Sequence, residues 1–137
     1  MLSEILESTY FLAHFLRGKK MGPPEETVEL FCQELSFLLF ERVNKSWHPA
    51  DPVRGSGMRA ITHHNQLDHL LVRAGESAGI GREVLSRLIP MGLTCFTDPG
   101  SASFRINFGP ECVFYKKLHD IDKIGGVSSA PIELLKS

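Results

Sequence analysis

The stretch WHPADPVRGSGMRAI, from Trp47 to Ile61, constrains this chain more than any other. Proline fixes its own φ and has no backbone donor, so neither a helix nor a central strand can run through Pro49 and Pro52. Gly55 and Gly57 then supply turns. The only tryptophan, Trp47, stands at the head of the segment. The pattern predicts a rigid loop over Lys45–Gly57 leading into a short strand, Met58–Thr62. A second segment, LIPMGLTCFTDPGSASFRI from Leu88 to Ile106, is built alike, with a proline stop, a short apolar strand holding an aromatic residue, and then Asp-Pro-Gly. Together the two read as a recognition surface.

The rest of the chain supplies a frame for these segments. Ile5, Leu12, Phe15 and Leu16 recur at helical spacing after Ser3, a candidate N-cap, and stop at Gly18. Pro23 and Pro24 open a second helix, with Val28, Phe31, Cys32, Leu35, Leu38 and Leu39 as its core face, to about Asn44. Asp68 caps a third helix that Gly79 ends, and a fourth covers Arg82–Ile89. Leu93–Thr97, Phe104–Phe108 and Cys112–Tyr115 read as strands, the last two joined by a turn at Gly109 and Pro110. The order predicts a single α+β domain over residues 1–117, four to five helices around a small β-sheet. Residues 118–137, with Gly125-Gly126 and few apolar anchors, read as a mobile tail.

A chain of 137 residues can close one core without staples. Fifteen basic and sixteen acidic side chains, with no run of one sign, argue against direct nucleic-acid binding. Cys32, Cys95 and Cys112 are odd in number, widely spaced and set in apolar runs, which points to small hydrophobes in a reducing compartment. Nowhere do eighteen apolar residues run together, and the amino-terminal helix has acidic residues where a secretory signal carries basic ones. The expectation is a soluble intracellular protein without a membrane span.

Candidate chemistry fails to assemble. Gly55-Ser-Gly57-Met-Arg-Ala60 has the GxGxxA spacing, but with a loop before it and a strand after it the phosphate-binding helix N-terminus is missing. Ser56 lacks a GxSxG elbow. His63, His64 and His69 have no metal-ligand spacing and read as a solvated group. Asp120 and Asp122 have no third carboxylate for a two-metal site. No catalytic residue, cofactor or metal is expected. Trp47 could be a core anchor or a partner's hot spot, and core is favoured. In the strand at 93–97, Leu93, Cys95 and Thr97 share one face and Thr94 and Phe96 the other. If the first face is the core, Phe96 projects outward beside Met58.

At these residues the chain resembles the BTG/Tob antiproliferative family over roughly Glu4–Tyr115. Trp47, Pro49, Pro52, Gly55, Ser56, Gly57, Arg59 and Ile61 match that family's box A. Leu88, Pro90, Leu93, Thr94, Asp98, Pro99, Ser103 and Arg105 match box B in order. The resemblance implies a single α+β BTG/Tob-like domain that is an adaptor and not an enzyme. By the same resemblance the domain is expected to dock on the exonuclease subunit of the Ccr/Not deadenylase and to direct it to messenger RNA, in cytoplasm and nucleus. It also implies that Phe96, Met58 and Asp68 carry the contact, with Asp68 either capping its helix or meeting a donor on the deadenylase. Trp47, Pro49, Gly55, Gly57, Arg59, Leu93, Asp98 and Pro99 would form the supporting motif. The chain departs from the family pattern at the contact itself: Met58 replaces an aromatic residue and Phe96 a tryptophan. That departure leaves room for a second role, a transcriptional co-regulator bridging DNA-bound factors with weakened deadenylase binding.

Overall fold

Helix α1 (Leu2–His14) is buried on two sides, and that sets the layering. Ile5, Phe11 and Leu12 have almost no exposed surface. The helix packs against helix α2 (Glu25–Val43) and, through Ser8 and Phe11, against a sheet. A computed structural model describes residues 1–117. In chain order they form α1, α2, a single 3-10 turn (Asn44–Ser46), α3 (Ser56–Arg59), β1 (Ile61–His63), α4 (His69–Ala78), α5 (Arg82–Leu88), β2 (Leu93–Asp98), β3 (Ser101–Ile106) and β4 (Cys112–Lys116). The strands make one antiparallel sheet in the order β1-β2-β3-β4. Five helices on a four-stranded sheet are the α+β architecture expected from sequence.

The core lies between the helices and one face of the sheet. Val28, Phe31, Leu35 and Leu39 of α2 are fully buried, and Cys32 is only half-buried. Phe11 stacks on Phe104 of β3 and on Phe114 of β4, with ring centroids at 4.7 and 4.5 Å. Such stacked rings add to burial and fix α1 against the sheet. Phe114 can point inward because β4 is irregular there: the register moves from Ala102↔Tyr115 to Ser103↔Val113, leaving Phe114 as the extra residue of a bulge.

Several boundaries differ from the sequence reading. Helix α1 starts at Leu2, so Ser3 lies inside it and caps nothing. The strand expected over Met58–Thr62 is a turn of helix, Ser56–Arg59, followed by a strand of three residues. Gly55 overrides the strand-like run of residues, because its φ of +79° lets the chain enter a helical turn directly from the loop. Strand β3 begins at Ser101 rather than Phe104, and Asn107 and Phe108 belong to the turn, Asn107 with a φ of +54°. Small residues mask the period-two pattern there: Ser101, Ala102 and Ser103 pair with β2 without advertising a strand. Residues 118–137, including Asp120 and Asp122, lie outside the described part.

Candidate functional site

Box A and box B meet at one guanidinium. Arg59 has no exposed surface, although an arginine is rarely buried without partners. Its Nε donates to the carbonyl of Thr97 at 2.8 Å. Nη1 donates to the carbonyls of Ser46 and of Arg54, the latter at 2.8 Å. Nη2 donates to the carbonyl of Pro52 at 2.8 Å and to Asp98 Oδ1 at 2.9 Å. The ring of Trp47 lies against it, 5.7 Å from the guanidinium carbon. Every donor of the fork is therefore engaged, and the proline-rich loop, which has few partners of its own, is pulled onto the end of β2.

The other motif residues follow from that knot. A Cβ at Gly55 would meet Arg59 Nη1 and Ser46 Cβ at 3.1 Å each, so both its positive φ and its missing side chain are needed. Ser56 Oγ donates to Asp98 at 2.8 Å, fixing the start of α3 to the same carboxylate. Asp98, Pro99 and Gly100 close the β2–β3 hairpin, and the N–H of Gly100 donates to Glu4 of α1 at 2.9 Å. Trp47 is half-buried, packs against the core and stacks on Arg59, which is the anchoring role favoured from sequence. Pro49 is exposed, and a Cβ at Gly57 would meet nothing within 4 Å.

Strand β2 shows the expected alternation. Leu93, Cys95 and Thr97 are buried, and Thr94, Phe96 and Asp98 are partly exposed. Thr97 is held twice, by Arg59 at its carbonyl and by Ser8 of α1 at its hydroxyl, 2.6 Å away. Phe96, the preceding residue, therefore stands on a strand with little freedom. Its cross-strand neighbour is Ser103, and the guanidinium of Arg105 lies over its ring at 5.8 Å. Arg105 Nε has no hydrogen-bond partner among the described residues. Met58 is 71% exposed on α3, which packs against β2.

Asp68 takes the capping role of the two expected. Oδ1 accepts from the N–H of Leu70 at 2.9 Å and from Arg42 Nη2 at 2.8 Å; Oδ2 accepts from Arg42 Nη1 at 2.9 Å and from the N–H of Thr62 at 3.1 Å. Burial pushes its carboxyl up, but the bidentate Arg42 and the two backbone donors outweigh that and hold it below the usual aspartate range. Arg42 also donates to the carbonyl of Ala60 at 2.9 Å, so this pair ties α2, α4 and the α3–β1 joint together. All four lone-pair directions of the carboxylate are used internally, and Asp68 is a positioning residue for α4.

Three sequence readings need correction. His63 is not solvated: it is buried in β1 with Nδ1 3.0 Å from the carbonyl of Ile89, and His64 Nε2 lies 2.9 Å from Thr94 Oγ1. Among the described residues no three His, Cys, Asp or Glu side chains gather as a metal site. The cysteines are not equivalent hydrophobes, because Cys95 is buried, Cys32 is intermediate and Cys112 is exposed on the edge strand. The glycine segment leads into a helix and not directly into a strand, but that helix has four residues and its Ser56 hydroxyl is taken by Asp98. Two contributors escaped the sequence reading as site residues, Ser46 and Arg42, whose partners lie 13 and 26 residues away. Only the fold could reveal them.

A profile of the BTG family matches residues 1–116. The chain belongs to the BTG family. It is 36% identical to protein BTG1 of Homo sapiens over 117 residues, covering 85% of this chain and 68% of that protein. It is 32% identical to human protein BTG2 over 118 residues, covering 85% and 74%. The fold is similar to that of the BTG/Tob domain of C. elegans FOG-3, with a TM-score of 0.78 at 24% identity, covering 92% of this chain and 98% of that domain. Among the described residues, no helix is long and apolar enough to cross a membrane.

Proposed function

We propose that this BTG-family chain is an antiproliferative adaptor that binds the exonuclease subunit of the Ccr/Not deadenylase and promotes shortening of messenger poly(A) tails, in cytoplasm and nucleus. It is not itself a catalyst. Phe96 and Met58 make the contact, and Asp68 supports it by holding the α3–β1 joint. The observation that favours this reading most is the link between the two boxes. Ser56 and Arg59, on either side of Met58, both bond Asp98, two residues beyond Phe96. The exposed thioether and the partly exposed ring are thus carried on elements that cannot drift apart, and a partner binds without first ordering them.

The surface has the composition of a docking face. β2 offers an aromatic ring with a guanidinium over it and a partly exposed carboxylate at Asp98, and α3, packed against it, offers an exposed methionine. A near-neutral surface fits a protein that recruits a nuclease and does not itself grip RNA.

Tethering the chain to a reporter messenger tests the proposal. The tail of the reporter shortens, and Phe96→Ala restores it. A tail that stays intact while recruitment to a promoter changes transcription overturns the deadenylase reading and supports the co-regulator bridging DNA-bound factors. The specific feature favouring that second reading is the pair of departures at Met58 and Phe96.

A further inference from the structure

Helix α2 is built to be covered on two sides. Its buried residues face α1 and α4. On the opposite side Leu30, Phe37 and Phe40 stand 40%, 64% and 45% exposed. Their spacing, i, i+7 and i+10, places them in one band along the helix, about 15 Å long. Two large aromatic rings at neighbouring positions of a solvent face are costly to leave wet; Val53 and Phe108 are exposed singly, and the exposed run Leu2, Leu6 and Tyr10 on α1 holds one ring.

The charges that α2 itself sets along the band have one sign. Glu26 and Glu29 lie at its amino-terminal end and Glu41 beside Phe40, all exposed. The only cation on α2 is Arg42, and it is turned away into its pair with Asp68. The helix therefore presents an apolar stripe bordered by these three carboxylates, none of them in an ion pair among the described residues.

We infer that this stripe is a second docking surface, whose occupant is a basic amphipathic helix of a partner protein. Three turns of such a helix would set apolar side chains on Leu30, Phe37 and Phe40 and lysines or arginines over the glutamates. A second copy of this chain fits badly, because an α2-to-α2 contact sets carboxylates against carboxylates. The chain's own residues 118–137 hold three acidic and two basic side chains and lack the complementary charge. An anionic membrane surface would be repelled.

The probe is a fluorescein-labelled synthetic peptide of about five helical turns, leucines on one face and lysines flanking them, beside a twin with glutamates in place of the lysines. Titrated into the full chain, the basic peptide shifts the backbone amides of residues 26–44, binds at least about tenfold more tightly than its acidic twin, and weakens as salt rises. Phe37→Gln with Phe40→Gln weakens it by about tenfold or more while the melting temperature holds, since both residues are exposed and glutamine suits a helix. Phe96→Ala leaves the affinity unchanged, which separates this surface from the deadenylase contact. Equal affinity for the two peptides, or amide shifts mapping elsewhere, overturns the inference. So does a dimer that the double substitution dissolves, which assigns the stripe to a second copy, or binding that appears only after residues 118–137 are removed, which assigns it to the chain itself.

Discussion

The guanidinium of Arg59 donates to the carbonyl of Thr97 at 2.8 Å, across 38 positions of sequence, and this bond ties α3 to β2. Because the same fork also serves Ser46, Pro52, Arg54 and Asp98, lysine cannot replace it: a single ammonium cannot reach acceptors spread around a plane. Arg59→Lys should destabilise the domain by about 3 kcal/mol, the order expected when buried partners are left unpaired. Urea unfolding followed by circular dichroism measures it.

The departures at the proposed contact can be reversed. Phe96→Trp adds apolar area and an N–H donor, and Met58→Tyr replaces a flexible chain with a rigid ring. Each should tighten binding to the deadenylase exonuclease subunit, Phe96→Trp by about tenfold, or 1 to 2 kcal/mol. Calorimetric titration of the purified pair gives the number. Neither change should lower the melting temperature, as Met58 is exposed and Phe96 is not part of the core.

Asp68 carries a pH dependence with a definite sign. Its carboxyl is held below the usual aspartate range in the fold, so the folded state binds the proton less well than the unfolded chain. The stabilisation is complete above the ordinary aspartate range and disappears as pH falls through the depressed value. Asp68→Asn, which leaves Arg42 facing a neutral amide, should therefore cost most near neutral pH, about 3 kcal/mol, and progressively less in acid. Unfolding midpoints of the two proteins measured across the acid range should converge.

The three thiols should react in order of exposure. Cys112 is on the surface of the edge strand and should be labelled by a maleimide first; Cys32 is half-covered, and burial pushes its thiol up. Cys95 is fully buried, and desolvation raises its thiol to about 12, so almost no thiolate exists near neutral pH. It should be labelled only on unfolding. Mass spectrometry of partly labelled protein resolves the three.

Much of this organisation is visible in the residues themselves. The helices were legible because Val28, Phe31, Leu35 and Leu39 repeat at helical spacing and because Asp68 and Gly79 mark the ends of α4, Gly79 adopting a φ of +85°. The alternation of Leu93 to Thr97 separates the two faces of β2, which runs on to Asp98. What stayed hidden depends on contacts between distant residues. Nothing local says that Arg59 is buried, since an arginine beside glycines ordinarily reads as solvated, and only the converging carbonyls of the loop reverse that preference. The turn of helix at Ser56–Arg59 is too short to show a period. Arg42 looked like an ordinary basic residue at a helix end until α4 brought Asp68 to it. Phe37 and Phe40 lie off the core face that the helical spacing of α2 marks, and the fold leaves both exposed.

The affinity of the purified chain for the deadenylase exonuclease subunit, measured with and without Phe96→Ala, bears most directly on the adaptor reading. Binding at micromolar concentration or below, weakened about tenfold or more by Phe96→Ala at unchanged melting temperature, is the expected result. Absence of binding far above that concentration, or an affinity indifferent to Phe96→Ala, would contradict it.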